Sequence, residues 1–391
     1  MRFVGIDIAS KTHVVAVVGE DGAVLLKPTP FQEDSAGYRL LLEKLGDPGD
    51  TLVTLEATGH YWKNLFAALA TQGFSIALIN PLRSRRFAQE NLERTKTDAI
   101  DALGLARFGA QKRPRVTRVP DAATEELREL VRLRDRLVQD FGDCTRRLHR
   151  VVDLGFPEFK RYVKHLDSQL STGLLKECPT AKAFQEASVG HLARLRCDGR
   201  HRVGDALAKQ LIDAAKVSVG AHHGPAYQMQ VRYLCEDMDV LRTRLGDIDR
   251  DIANQLAAHE VGTLLTTIDG IGPTTAARLI AELGDPADFA TASALAAYVG
   301  VVPGLKQSGK RQGKRANISP IGHARLRRAL WMPTLVAVQK NPWVRAHYER
   351  LRANGKPAKV ALIASTRKLL IAVHVVARTR KPFVPRVEVT L

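Results

Sequence analysis

Apolar and polar positions alternate over the first part of the chain and then change period. RFVGIDIA and HVVAVVG read as strands, and Glu20–Gly22 reads as a turn into a third, AVLLKPT. Apolar residues then recur at helical spacing over Ala36–Leu45 and Tyr61–Gln72, while TLVTLEAT and SIALIN return to strand-like runs. From Glu125 a long seam steps by three and four through Leu127, Leu130, Arg134, Leu137, Phe141, Cys144, Leu148 and Val151, with Arg134 its polar member. A second seam runs through Val231, Leu234, Met238, Leu241, Leu245, Ile248 and Ile252. Two such helices can pair within the chain as an antiparallel hairpin or join copies of the chain, and the pattern leaves both open. The intervening Gly155–Gly224 reads as mostly helical.

Three strands followed by helix–strand–helix–strand–helix is the order of a ribonuclease H-like sheet. The expected fold class is therefore α/β plus α. It comprises a RuvC/ribonuclease H-like domain over 1–115, a helical coiled-coil region over 116–261, and a mainly helical basic domain over 262–391. The last opens with TTIDGIGPTTAARLIAELGD, which has the form of a helix-hairpin-helix. Pro273 cannot extend the first of these helices, and Thr274 or Thr275 is expected to cap the second. Gly270 and Gly272 are expected to turn backbone amides outward, where they suit a phosphate oxygen.

Charge sharpens this picture. The 391 residues are 45% hydrophobic and 26% charged, as in ordinary globular proteins, but the net charge is +18. Val301–Leu391 holds twenty Lys and Arg against two acids, Glu349 and Glu388, so the preceding residues are neutral. A basic module on a neutral body points to a polyanion, with nucleic acid the leading candidate. A membrane partner fits poorly, because the basic region lacks a clean amphipathic anchor. Cys144, Cys178, Cys197 and Cys235 are widely spaced with no CxxC, the usage of reduced thiols in a cytosol. No leader-like segment opens the chain, and no uninterrupted apolar run approaches ~18 residues. A cytoplasmic, nucleoid-associated protein is expected.

Two stretches carry candidate chemistry. TKTDAIDALGLARF sets Asp98 and Asp101 one helical turn apart, where like charges repel. A divalent cation would supply the missing counter-charge, Mg²⁺ or Mn²⁺ being suited to oxygen ligands. Asp7 in GIDIAS and Glu56 in TLEATG stand on strands that neighbour each other in a ribonuclease H-like sheet. Asp7, Glu56, Asp98 and Asp101 are thus expected to converge, and such a set can hold two metals ~4 Å apart on a phosphodiester. The second stretch, GLKQSGKRQGKR, fails as a nucleotide P-loop because Arg311 takes the place of the Ser or Thr that holds Mg²⁺. It leaves Ser308 among Lys306, Lys310, Arg311, Lys314 and Arg315. Such a serine can attack a phosphate and conserve the bond energy as a phosphoserine ester. On local sequence alone, a phosphate-contacting loop with an incidental serine is the better reading. Arg325, Arg327 and Arg328 in GHARLRRALW are further nucleic-acid candidates, and Tyr298 in AAYVGVV reads as a core ring.

GIDIASKTHVVAVV, LEATGHYW, RTKTDAIDA, TIDGIGPTTAARLIAELGD, LAAYVGVVPGLKQSGKR and GHARLRRALW, in this order, resemble the DEDD transposases of bacterial insertion sequences. This is the insertion-sequence 110 family, which includes Piv-type DNA invertases. The resemblance covers Arg2–Arg107 and Leu264–Asn341, the middle matching only as a helical spacer. It implies an acidic tetrad at Asp7, Glu56, Asp98 and Asp101 and a serine nucleophile at Ser308. It also implies excision and insertion of an element between donor and target DNA, guidance by a structured noncoding bridge RNA, and a dimer or tetramer. A RuvC-like hydrolase would need the tetrad without Ser308, and a non-enzymatic binding protein would need neither. A sugar-kinase-like ATPase is set aside because the chain lacks a second glycine-rich strand–turn pair.

Overall fold

Residues 2–79 build the sheet that the alternating pattern calls for. The structure, a computed structural model, describes residues 1–90, 97–302, 318 and 321–385, and the backbone alone of 307–308 and 311–312. The chain divides into two compact units, Met1–Pro120 and Asp121–Leu391.

In the first unit β1 (Arg2–Asp7), β2 (Thr12–Val18) and β3 (Val24–Gln32) form an antiparallel meander. Two further strands, β4 (Thr51–Glu56) and β5 (Ser75–Ile79), extend the sheet parallel to β1, giving the order β3-β2-β1-β4-β5. Parallel neighbours need crossover connections, which α1 (Ser35–Leu45) and α2 (Trp62–Thr71) supply. Alternation along the strands sorts the core into two faces. Val4, Ile6, Val15, Val17, Val53, Leu55 and Ile76 pack with Leu41, Leu45, Leu65 and Leu69 of α1 and α2. Phe3, Val18, Leu52 and Ala77 pack on the other face with Ala106. That second face is covered by α4 (Asp98–Lys112), against which α3 (Pro81–Glu90) packs through Phe87.

The helix α4 lies very close to β1. A Cβ built on Gly5 would stand 2.2 Å from both the Ala102 carbonyl oxygen and the Ala106 backbone nitrogen. Further along α4, a Cβ on Gly109 would lie 2.7 Å from Thr54 Oγ1 and 3.7 Å from the Phe3 ring. The helix therefore runs back along β1, from Gly5 towards Phe3. Its first turn stands at the carboxyl end of that strand.

Among its described residues the second unit is mainly helical, with a two-stranded ribbon of β6 (Gln307–Ser308) and β7 (Arg311–Gln312). Its spine is α5 (Ala122–Gly155), and five shorter helices follow: α6 (Phe159–Tyr162), α7 (Gln169–Glu177), α8 (Ala181–Glu186), α9 (Val189–Arg194) and α10 (Asp205–Lys216). The chain then returns along α5 as α11 (Pro225–Ala257). The two seams thus pair antiparallel within the chain, burying Leu127, Leu137, Leu148 and Val151 with Val231, Met238, Ile248 and Ile252. Arg134, the polar member of the first seam, forms a bidentate pair with Asp249 of the second. Phe156, Phe159 and Phe184 cluster at the far end, with ring centroids 5.2 to 6.0 Å apart.

Seven helices complete the unit: α12 (Glu260–Leu265), α13 (Pro273–Leu283), α14 (Ala292–Val299), α15 (Ala324–Ala329), α16 (Trp331–Lys340), α17 (Pro342–Ala353) and α18 (Ala358–Thr379). One apolar core runs through the unit from Leu127 to Ala377, without a break at residues 261–262. By length and composition α18 could cross a membrane, but more than half of its apolar window is buried inside this unit. Its buried polar groups are satisfied internally. Thr366 Oγ1 bonds Thr334 Oγ1 at 2.9 Å, and His374 Nε2 bonds the Phe289 carbonyl at 2.9 Å. All four cysteines are free, and burial pushes the Cys178 and Cys235 thiols up to about 12, so neither is a nucleophile at neutral pH.

The crossing at Gly5 yields a direct expectation. Gly5→Ala places a methyl group against backbone atoms of α4 that have no rotamer to yield, so the helix must lift. The unit containing Gly5 is expected to lose roughly 1–3 kcal/mol or more, read as a lower melting temperature of the full chain. An unchanged melting curve would show that α4 does not sit this close.

Candidate active site and nucleic-acid interface

The parallel register sets Ile6 opposite Leu55, so Asp7 and Glu56 end adjacent strands. Their neighbour β5 ends level with them, since the Ala57 amide bonds the Ile79 carbonyl at 3.0 Å. Asp98 and Asp101 form the first turn of α4, at the same end of the sheet. Thr97 caps that helix, its hydroxyl accepting the Ile100 amide at 3.3 Å. A helix amino end favours carboxylates, so the position offsets the repulsion between the two aspartates. Asp7, Glu56 and Asp101 are half-buried and Asp98 is exposed. The fold thus gathers the four acids at one sheet end. Among the described residues, however, no three His, Cys, Asp or Glu side chains stand close enough to hold one ion.

Both Glu56 oxygens are already engaged. Oε1 accepts the Thr58 hydroxyl at 2.6 Å, and Oε2 accepts the hydroxyl of Ser84 in the first turn of α3. A second network holds the turn that follows Asp7. The buried His13 ring accepts the Ala9 amide at Nδ1 (3.2 Å) and meets Glu33 Oε2 at Nε2 (2.6 Å), a pattern that makes Nε2 the protonated nitrogen. Tyr38 donates to the same carboxylate at 2.6 Å and Asn64 at 3.2 Å. Burial works against ionisation of Glu33, but hydrogen bonds from Tyr38, His13 and Asn64 outweigh it and hold the carboxyl below its usual range. Sequence reasoning missed Thr58, Ser84, His13 and Glu33. Only His13, a polar residue inside the apolar run KTHVVAVV, signals itself.

In the second unit the glycine hairpin departs from expectation. Gly270 has φ +102°, and a Cβ there would meet Ala337 Cβ at 2.7 Å and the Pro333 carbonyl at 2.8 Å, so it serves packing against α16. Gly272 faces open space and is itself the residue that caps α13, with Pro273 next. No side chain caps this helix, so neither Thr274 nor Thr275 has that role. Glycine takes the place of a threonine cap because Pro273 already removes one of the amides needing a partner.

Ser308 pairs with Arg311 across the β6–β7 ribbon, the description there being limited to backbone. Lys306, Lys310, Lys314 and Arg315 lie outside the described residues. The segments on either side of the ribbon meet tightly. A Cβ on Gly300 would stand 3.1 Å from the Gly322 Cα, and Arg327 donates to the Val299 and Ile321 carbonyls at 3.2 and 3.3 Å. The His323 amide bonds the Tyr298 carbonyl at 3.0 Å. Arg327 therefore works inside the fold. Arg325 and Arg328 lie on the same short helix, and Arg325 approaches Glu282 at 3.6 Å. Tyr298 is 46% exposed rather than core, with ring centroids 5.3 Å from Phe289 and 5.9 Å from His323. One turn of α14 buries Leu295, Ala296 and Val299, which leaves Tyr298 on the outer side.

Glu282 anchors this region. Its side chain is 5% exposed and meets His323 Nε2 at 3.2 Å and Arg132 of α5 at 3.4 Å. Burial alone would raise its pKa, but the bonds from His323 and Arg132 and their charge bring it down to about 2.

The mixed five-stranded sheet with carboxylates at its strand ends fits a RuvC-like α/β domain, followed here by a helical region. Residues 4–157 match the DEDD family of IS110 described as transposase, and residues 262–349 match the family described as Transposase IS116/IS110/IS902. These two matches together span well over half of the chain, which belongs to the IS110/IS116 family of transposases. It is 28% identical to the Streptomyces coelicolor mini-circle protein named as transposase for IS117, over 97% of this chain and 95% of that one. It is 24% identical to the pilin gene-inverting protein of Moraxella bovis, over 99% and 98% of the two chains.

The Glu282 cluster gives a pH expectation. A carboxyl held at about 2 when folded and near 4.5 when unfolded contributes stability above pH 4.5 and loses it as pH falls towards 2. Glu282→Gln is expected to cost roughly 2–3 kcal/mol at pH 7. The gap from the parent should narrow as the pH is lowered from 4.5. A gap that stays constant with pH in thermal melts would contradict this assignment.

Proposed function

We propose that this transposase excises and inserts its element through a phosphoserine intermediate formed at Ser308, with the carboxylate end of the sheet acting on the same phosphodiester. What carries the reading is the arrangement of Asp7 and Glu56 on adjacent strand ends with Asp98 and Asp101 on the first turn of α4. In donor chemistry the four carboxylates fit a hard divalent cation such as Mg²⁺ or Mn²⁺, although fewer than three of them meet in the described structure. A cation held there would neutralise charge on the phosphate oxygens. Glu56 could join such a set through the second lone pair of each oxygen, with the Thr58 and Ser84 hydroxyls still bound. Those hydroxyls would then orient the carboxylate from one side.

In the reaction, Ser308 Oγ attacks phosphorus, losing its proton as the O–P bond forms. The bond to one strand end breaks, and the departing oxygen takes up a proton. The ester conserves the energy of the broken bond, so a hydroxyl of a second strand can reverse the step without ATP. Lys306, Lys310, Arg311, Lys314 and Arg315 supply positive charge where the transition state gathers negative charge. The helix-hairpin-helix of α12 and α13, with the open amide side at Gly272 and Thr274, belongs to the DNA-holding surface in this reading. On family resemblance, a structured noncoding RNA from the element selects the DNA by base pairing, and two or more copies handle the two duplexes.

The test uses the full chain with Mg²⁺, an element-bearing plasmid and a transcript of the element's noncoding region. A protein–DNA adduct that resists heat and detergent but not protease is expected, mapping by peptide mass to Ser308. Ser308→Ala should bind DNA yet give no adduct and no recombined product. Asp98→Asn should fold, with a melting temperature close to the parent's, and lose recombination. Cleaved DNA with free ends from Ser308→Ala would instead establish a RuvC-like hydrolase.

A further inference from the structure

The helix α3, PLRSRRFAQE, carries three arginines in four positions, and all three are exposed. Among the described residues none of Arg83, Arg85 and Arg86 has a carboxylate within ion-pair distance. Two other basic groups of the unit are matched: Arg113 pairs with Glu20, and Lys112 meets Glu90 at 3.3 Å. That second pair removes Glu90, the acid at the end of α3, as a partner for Arg86. Arg83 and Arg86 lie three apart, where like charges destabilise a helix. The arrangement thus costs the free protein stability and, among the described residues, returns no ion pair.

The helix is nevertheless firmly held. Phe87 is buried and meets Phe108 of α4 edge-on, with centroids 5.4 Å apart at 86°. The Arg83 guanidinium lies 5.2 Å from the centre of the same Phe108 ring. At its other flank, Ser84 donates to Glu56. The arginines are therefore presented on a rigid element whose first turn touches one of the four acids. Guanidinium groups grip phosphate oxygens in a planar, two-pronged manner, which suits them to a nucleic-acid backbone.

We infer that α3 is a phosphate-backbone contact of the first unit, with Arg85 and Arg86 holding duplex DNA beside the carboxylate end of the sheet. This rests on the proposed reading only for the choice of DNA. A strand to be cut must pass the acids, and α3 adjoins them. Arg83 is a support residue, tied to Phe108, and the outward pair makes the contact.

Binding of the full chain to a 30-base-pair duplex of arbitrary sequence, without divalent metal, tests the inference. Each phosphate contact adds about 0.9 to the slope of log affinity against log salt. Arg85→Gln with Arg86→Gln should flatten that slope by about 2 and weaken binding ~10-fold or more at low salt. Its melting temperature should not fall. The same charge removed from the far side of the unit, Lys27→Gln with Arg39→Gln, should leave the slope nearly unchanged. Equal slopes for the arginine pair and the parent would overturn the inference, as would a loss confined to an RNA duplex. The measurement uses uncut DNA, so failure of the adduct at Ser308 would leave it standing, and an adduct would not rescue it.

Discussion

The crossing of α4 over β1 at Gly5 is the constraint on which the carboxylate end of the first unit depends. Interiors are close-packed, so a backbone–backbone contact of this kind admits little adjustment. It fixes how far α4 slides along the strand, and with it the place of Asp98 and Asp101 relative to Asp7. Glu56 is placed by a different device, the parallel register of β1 and β4. The turn after Asp7 is held by a third, the His13–Glu33 network from β2 and the start of α1. Three independent restraints thus converge on one sheet end, and none is itself a carboxylate of the tetrad.

Much of this was legible in the sequence, and the exceptions share a cause. Strands and helices declared themselves because one period fits each. The strand order followed from the succession of elements. The partner of the α5 seam did not, since a heptad reads the same whether its mate lies in the same chain or another. The apolar residues that the two seams bury together decide it, as does the Arg134–Asp249 pair, 115 residues apart. The packing of Gly270 and the exposure of Tyr298 were not legible because they are set by surroundings the local pattern does not show, Ala337 for one and the outer side of α14 for the other. The hydroxyl of Ser84 is equally hidden, 28 residues from the carboxylate it bonds.

Charge counting shows the same limit. The basic excess falls wholly in the last 91 residues, yet several of those arginines are engaged within the fold. Arg345 donates to the Val338 carbonyl, Arg352 to that of Lys356, Arg378 to that of Ala290, and Arg380 pairs with Asp285. Guanidinium groups that tie loops to helix ends stiffen the unit and are not free to follow a phosphate backbone. The first unit, by contrast, exposes on α3 arginines that have no ion-pair partner among the described residues. Net charge identifies the class of partner, whereas only pairing within the structure identifies which cations remain to meet it.

The two aspartates of α4 raise the question of how the folded protein tolerates them. Like charges one turn apart cost a helix about 0.2–0.5 kcal/mol. A carboxylate in the first turn gains about 0.3–1 kcal/mol from the helix dipole, and there are two of them. The dipole therefore wins, and Thr97 adds a side-chain cap at the same turn. On Glu56, hydroxyls from Thr58 and Ser84 satisfy both oxygens. The acids are thus stabilised by the protein's own donors and backbone dipoles, unlike ligands of a structural metal, whose binding energy is folding energy.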